Sequence, residues 1–289
     1  MFNKKSYSAL AIVALFLCAV TTVQNKPVQA QQALENSILF VTPHRVSIAP
    51  EEKIELLNVA NKSDQKRRYD LQVVNQVMSE DGRTRRVDDF EYSAKKMLRF
   101  VPKRFTLEPG ERQTVRVMAR RSDSLVDGDY HSHLLFREVP LREQDADPAS
   151  KENAQAGNTS FEIQALYGVA VPIIVQHGNI NSTISIESAE LKQSENGKPY
   201  LQMRFNRTGN AEAAATMTVE HSRAGSANVK IAKDQWVRVY REVGFIEKAF
   251  ALDVPEGHSL NSGKIKITIA NKPLAENGTI IDQKEIKLP

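Results

Sequence analysis

From about residue 38 onward the chain keeps returning to one pattern, a short run of alternating apolar and polar residues closed by a turn. Tyr69, Leu71 and Val73 alternate with Asp70 and Gln72, and Val115, Val117 and Ala119 alternate with Arg116, Met118 and Arg120. A period of two puts one set of side chains on a buried face and the other on a wet one, which is the geometry of a strand. Turn signals separate the runs at Ala49-Pro50-Glu51-Glu52, Asp81-Gly82, Glu108-Pro109-Gly110-Glu111 and Asp127-Gly128-Asp129. No long helical pattern interrupts them. Such spacing predicts an all-β sandwich architecture rather than α/β.

The first 30 residues follow other rules. Lys4 and Lys5 precede an apolar run from Ala9 to Val20, and a polar stretch then ends in Val28-Gln29-Ala30. That order is a secretory leader, with cleavage expected after Ala30. The apolar run falls short of the roughly 20 residues a spanning helix needs; an uncleaved anchor is the alternative. Cys18 is the only cysteine and lies inside this run behind Phe16 and Leu17, too bulky for a lipoprotein signal. The exported chain therefore has no thiol, which excludes disulfides, cysteine hydrolases and Cys-ligated zinc. The formal charge of +4 includes Lys4, Lys5 and Lys26 of the leader, so the remainder is near +1. An average charge that small argues against a nucleic-acid partner.

About 259 residues remain, enough for two domains. The first is expected over 31–177 and contains a polar stretch, 141–160, that reads as a solvated mobile loop. Directly behind it comes the longest β-type run, Phe161 to Val175. Gln176-His177-Gly178-Asn179 reads as a hinge, and a second strand-rich domain is expected over 178–289. Within that domain Asn196-Gly197 is a strong hairpin signal.

Enzymatic signatures are weak. His131-Ser132-His133 sets two imidazoles on one strand face, half of a metal site at most; a packed or exposed strand face is the plainer reading. HExxH, GxSxG and Gly-rich phosphate loops are absent from the sequence. Asp88-Asp89 and Glu51-Glu52 read as solvated loop acids. Arg83-Thr84-Arg85-Arg86 reads as a strand edge blunted by charge. No catalytic residue, metal or cofactor is expected.

One stretch carries a resemblance. Pro102, Phe105, Leu107, Pro109-Gly110, Gln113 and Val115-Arg116 stand in the pattern P-x-x-F-x-L-x-P-G-x-x-Q-x-V-R, which resembles the PapD-like periplasmic pilus-assembly chaperones. Asp127 to Pro140 is similar to that family's next strand, with an acidic start and an Arg137-Glu138-Val139-Pro140 end. His44-Arg45-Val46 and the run from Ile54 to Ser63 are similar to its first strands. The resemblance covers roughly 38–177, and the second domain only loosely through Arg207-Thr208-Gly209-Asn210.

The resemblance implies two immunoglobulin-like β-sandwich domains in a boomerang arrangement and an ATP-independent, non-enzymatic chaperone in the periplasm. Such a chaperone caps pilus or fimbrial subunits by lending them a strand, and works with an outer-membrane usher. The lending strand maps onto Phe161, Ile163, Ala165 and Tyr167; the same alternation also fits a strand that packs only its own core. An exposed Phe161–Ala165 edge invites self-capping as a homodimer. The family grips the subunit's terminal carboxylate with two basic side chains. The first maps onto Arg45, which otherwise reads as a surface arginine on a strand edge. The second has no counterpart: Pro172 stands where a lysine is expected and Gln176 where an arginine is. Lys103 is a candidate substitute, and Asp129 loses its expected partner. That departure leaves open a second reading, a PapD-like adaptor retained in a cell-surface assembly.

Overall fold

The computed structural model describes residues 39–141 and 166–289. The leader, most of the polar loop and Phe161, Ile163 and Ala165 lie outside the described residues.

The described chain is all-β, save for one short 3-10 turn at Leu274–Glu276. Residues up to His177 build a first sandwich. One of its sheets orders β1 (Leu39–Thr42), β3 (Ile54–Asn61), β8 (Arg112–Ala119) and β6 (Leu98–Val101). The facing sheet orders β2 (Val46–Ile48), β10 (Gly168–His177), β9 (Gly128–Val139) and β4 (Arg67–Met78). β5 (Thr84–Val87) and β7 (Arg104–Leu107) pair with the two ends of β4. The alternation in the sequence decides which side chains go inside. Leu57, Val59, Val115 and Val117 come from the first sheet and meet Tyr69, Leu134, Phe136, Val171, Ile173 and Val175 from the second. Each fully buried aliphatic or aromatic side chain of this kind contributes about 2 kcal/mol. The segment broken around Pro43 is a change of sheet: β1 pairs with β3, and β2 pairs with β10.

Two polar side chains bind the frame. Asn61, fully buried, donates from Nδ2 to the carbonyls of Gln65, Leu107 and Glu108, and its Oδ1 accepts from Ser63. It thereby ties the end of β3 to the Pro109-Gly110 turn, where Gly110 sits at φ +76 and donates its N–H to the Asn61 carbonyl. Arg121 spreads its guanidinium over the carbonyls of Ile48, Ala49, Glu52 and Gln176, at 2.6–3.0 Å.

A second sandwich packs β11 (Ser182–Gln193), β12 (Pro199–Gly209) and β15 (Phe245–Ala251) against β14 (Val229–Val239), β13 (Ala213–Ser222), β16 (Gly263–Ala270) and β17 (Ile280–Leu288). Its core is Met203, Phe205, Met217, Val219, Ile265, Ile267 and Ile269, among others. The Asn196-Gly197 signal is the β11–β12 hairpin, with Gly197 at φ +71 donating to the Ser194 carbonyl.

The stretch that reads as a hinge is pinned. Asn179 donates its N–H to Asp127 Oδ2, and Asn210 donates to the Asn179 carbonyl from Nδ2 and accepts from Asn181 N–H at Oδ1. Gly128, at φ +140, faces the Asn210 carbonyl and the Arg241 guanidinium; a Cβ there would lie 2.3 Å from both. Glycine is required at that point for conformation and for space.

Candidate functional site

β10 is paired along its whole length on one side only. Its antiparallel ladder to β9 runs from Gly168↔Arg137 to His177↔Gly128. On the other side β2 covers only Ile173, Ile174 and Val175. One further bond, Glu138 N–H to the Tyr167 carbonyl at 2.8 Å, extends the β9 side by a residue. Because main-chain groups alternate along a strand, Tyr167, Val169 and Val171 turn theirs toward β9. Gly168, Ala170 and Pro172 turn theirs the other way, toward the uncovered edge. Pro172 has no N–H to give to a ladder. The missing N–H lies on the open side, the position in which a sheet tolerates proline, and the β9 ladder is intact.

Side chains follow the same gradient. Val171 is buried in the core, Val169 packs partly against it, and Tyr167 is 54% exposed beside Leu166 at 49%. Of the residues mapped to the lending strand, Tyr167 stands at this edge. Phe161, Ile163 and Ala165 are outside the described residues.

The second feature is a charged joint between the sandwiches. On β9, Tyr130, Leu134 and Phe136 point into the first core, so Asp129, His131 and His133 point out of it. They meet groups of the second sandwich. His131 Nε2 donates to Glu242 Oε2 at 3.0 Å, and the His131 ring lies 4.6 Å from that of Tyr240. Glu242 Oε1 accepts from Met78 N–H at 2.7 Å. Asp129 Oδ2 accepts from Glu212 N–H at 2.7 Å. Arg241 donates to the Asp129 carbonyl at 3.0 Å and lies 4.2 Å over the Tyr92 ring.

Arg45 lies in this joint and its guanidinium pairs with the Glu212 carboxylate. Arg238 approaches the other Glu212 oxygen at 3.5 Å, so two guanidiniums flank one carboxylate. Arg45 also donates to Tyr240 Oη at 3.4 Å. Burial opposes the Arg45 charge, but Glu212 and Tyr240 more than offset it and its pKa lies above the usual arginine value.

The other titrating groups of the joint respond to burial first. Burial, then the charges of His131 and Arg45, push His133 down to about 4, with Glu242 opposing. Burial raises the Asp129 carboxyl above its ordinary range, although the Glu212 N–H bond works against this. Burial would raise Glu242 too, yet the bond and charge of His131 hold it below the usual range. His131 and His133 are both buried, and the Nδ1 atom of each has no hydrogen-bond partner among the described residues. Among the described residues no three His, Cys, Asp or Glu side chains are grouped to hold a metal.

Lys103 is at the opposite edge of the sheet, where its carbonyl accepts from Leu71 beside β7. The cation brought near Arg45 is Arg238, from the other sandwich. Sequence reasoning missed Glu212, Arg238, Tyr240 and Glu242. Their one sequence signal is that Tyr240-Arg241-Glu242 breaks the alternation at the end of β14.

No protein-family model and no curated protein matches this chain. Among solved structures it is similar to the class 5 fimbriae chaperone CfaA, at 13% identity and a TM-score of 0.42, covering 87% of this chain and 99% of that one. It is also similar to the E. coli chaperone DraB, at 14% identity and a TM-score of 0.39, covering 86% and 98%. A third similar chain comes from the CsuC–CsuE chaperone–tip adhesion subunit pre-assembly complex of the archaic chaperone-usher Csu pili of Acinetobacter baumannii. That likeness has 14% identity, a TM-score of 0.40 and coverage of 86% and 97%.

Proposed function

We propose that this protein is a non-enzymatic, ATP-independent chaperone, exported to the periplasm, that caps pilus- or fimbrial-type subunits by lending them a strand. The observation that supports this most is the half-covered β10. Main-chain groups at Gly168 and Ala170 face an edge with no strand neighbour among the described residues, and apolar Leu166 and Tyr167 stand exposed just upstream. An open edge with alternate apolar side chains is what strand addition uses. In this reading Phe161, Ile163 and Ala165 continue the lending strand, and an outer-membrane usher receives the capped subunit. The free protein hides the edge as a self-capped homodimer. Arg45 is the carboxylate anchor, with Arg238 as its second cation. A client's terminal carboxylate competes there with Glu212, since a guanidinium grips either in the same bidentate way.

The test is affinity capture from periplasm of the protein exported on its own leader, with bound proteins identified by mass spectrometry. Two variants accompany it. Phe161→Glu/Ile163→Glu alters the side chains, and Ala170→Pro removes an edge-facing N–H while sparing the β9 ladder. A small β-rich subunit bound by wild type and lost from both variants is the expected result. If both variants stay folded and keep the same partner, strand lending is wrong. A partner recovered only in a permanent surface structure, never as a periplasmic binary complex, selects the adaptor reading instead.

A further inference from the structure

The sheet of β1, β3, β8 and β6 buries one face in the first core and turns the other outward. A half-buried antiparallel sheet ordinarily carries polar residues on its wet face. Here Ile54 and Leu56 on β3 are each 49% exposed, and Val101 on β6 is 52% exposed. Register interleaves them with cations. Leu56 lies beside Arg116, which lies beside Val101; one row further, Ile54 lies beside Met118, and Met118 beside Arg99. Arg112 extends the positive face along β8.

No Asp or Glu occupies an outward-pointing position on these four strands. Among the described residues Arg99 donates only to the backbone carbonyls of Lys96 and Leu98. Arg112 and Arg116 have no ion pair among the described residues. Elsewhere on the surface exposed cations do find carboxylates, as Lys66 does with Glu108, Arg204 with Glu187 and Lys264 with Glu285.

Exposed aliphatic side chains among unpaired arginines call for a partner that is apolar and anionic. A second copy of the chain is a poor one, because a two-fold contact through this face brings the same arginines together. The aliphatic side chains sit on β3 and β6 with the arginine-bearing β8 between them, a flat and interrupted apolar surface that does little to fix a protein in register. A bilayer needs no register. It offers diffuse negative charge above an apolar layer, and arginine can lay its stem along apolar neighbours while its head reaches phosphate. We propose that this outward face docks on an anionic phospholipid surface. Ile54, Leu56 and Val101 enter the headgroup boundary, and Arg99, Arg112 and Arg116 meet lipid phosphates. The face lies on the sheet opposite β10, so the proposal stands apart from strand lending.

The test is co-sedimentation of the protein with vesicles at ~50 mM salt. One set is phosphatidylcholine alone, and the other contains about one-third phosphatidylglycerol. Wild type is expected to sediment with the anionic set only. Arg99→Ser/Arg116→Ser should lower partitioning about thirtyfold, from roughly fivefold per arginine. Leu56→Asn, which leaves the charge alone, should lower it severalfold. Arg85→Ser/Arg86→Ser on edge strand β5 removes the same net charge away from the face and should leave partitioning within about twofold. All three variants alter exposed positions, and unchanged thermal midpoints confirm their folding. Failure of wild type to bind anionic vesicles overturns the proposal. So do equal losses for the two arginine pairs, which make net charge the cause. Retention on an immobilised acidic protein without vesicle binding also overturns it, and assigns the face to a protein partner.

Discussion

At the scale of single residues, His133 pays for its position in protons. Buried against His131 and Arg45, its folded pKa is about 4, while an unfolded chain titrates it near the ordinary 6.5. The unfolded state therefore binds the proton more readily, and the stability contributed by neutral His133 is present above about 6.5 and lost as pH falls toward 4. Between pH 7 and 5 this amounts to about 2 kcal/mol. Urea unfolding of wild type and His133→Leu at both pH values should show the variant less pH-sensitive by that amount; parallel losses would refute the assignment. The sequence shows that His131 and His133 share a strand face, because a period of two is enough for that. It does not show that the face is buried, because Tyr240 and Glu242, which help to cover it, arrive from more than a hundred residues downstream.

Among elements, β10 and β2 show what local patterning reveals and what it leaves out. The run from Phe161 to Val175 reads as a strand from composition alone, and Val171, Ile173 and Val175 enter the core as their alternation demands. Only pairing reveals that β2 covers three of its residues, because the cover comes from a strand that has changed sheets. β2 is short and depends on its tether. Arg121 holds the carbonyls of Ile48, Ala49 and Glu52 on one side and Gln176 on the other. Arg121→Ala should destabilise the protein by about 2 kcal/mol, from the loss of charge-assisted hydrogen bonds. The amides of β2 should exchange with solvent sooner than those of β4 and β9. Arg121→Lys should not rescue, since one ammonium cannot span the four carbonyls a planar guanidinium reaches. Full rescue by lysine would mean the charge matters and the fork does not.

Over the whole molecule, the two sandwiches have separate cores and are joined by polar and charged contacts, with Met78 of β4 packed against the second core. The sequence announces the strands of both halves, through alternation and the Asn196-Gly197 turn. Apart from Arg45 it is silent on the joint, because Glu212, Arg238, Tyr240 and Glu242 form no motif and lie far from Arg45 along the chain. Arg241 of the second sandwich reaches both the Asp129 carbonyl and the Tyr92 ring of the first. Arg241→Ala should uncouple the halves, so that one calorimetric unfolding transition becomes two while each sandwich keeps its strand content. A single unbroken transition would show that coupling does not pass through Arg241. The pinned linker has a mechanical consequence as well. Gly128 admits the Asn210 backbone, and Asn210 is bonded to both Asn179 and Asn181 of the linker, so main chain from both sandwiches meets there. Backbone joined in this way acts as a strut: load on one sandwich passes to the other through main-chain hydrogen bonds and not through side chains alone.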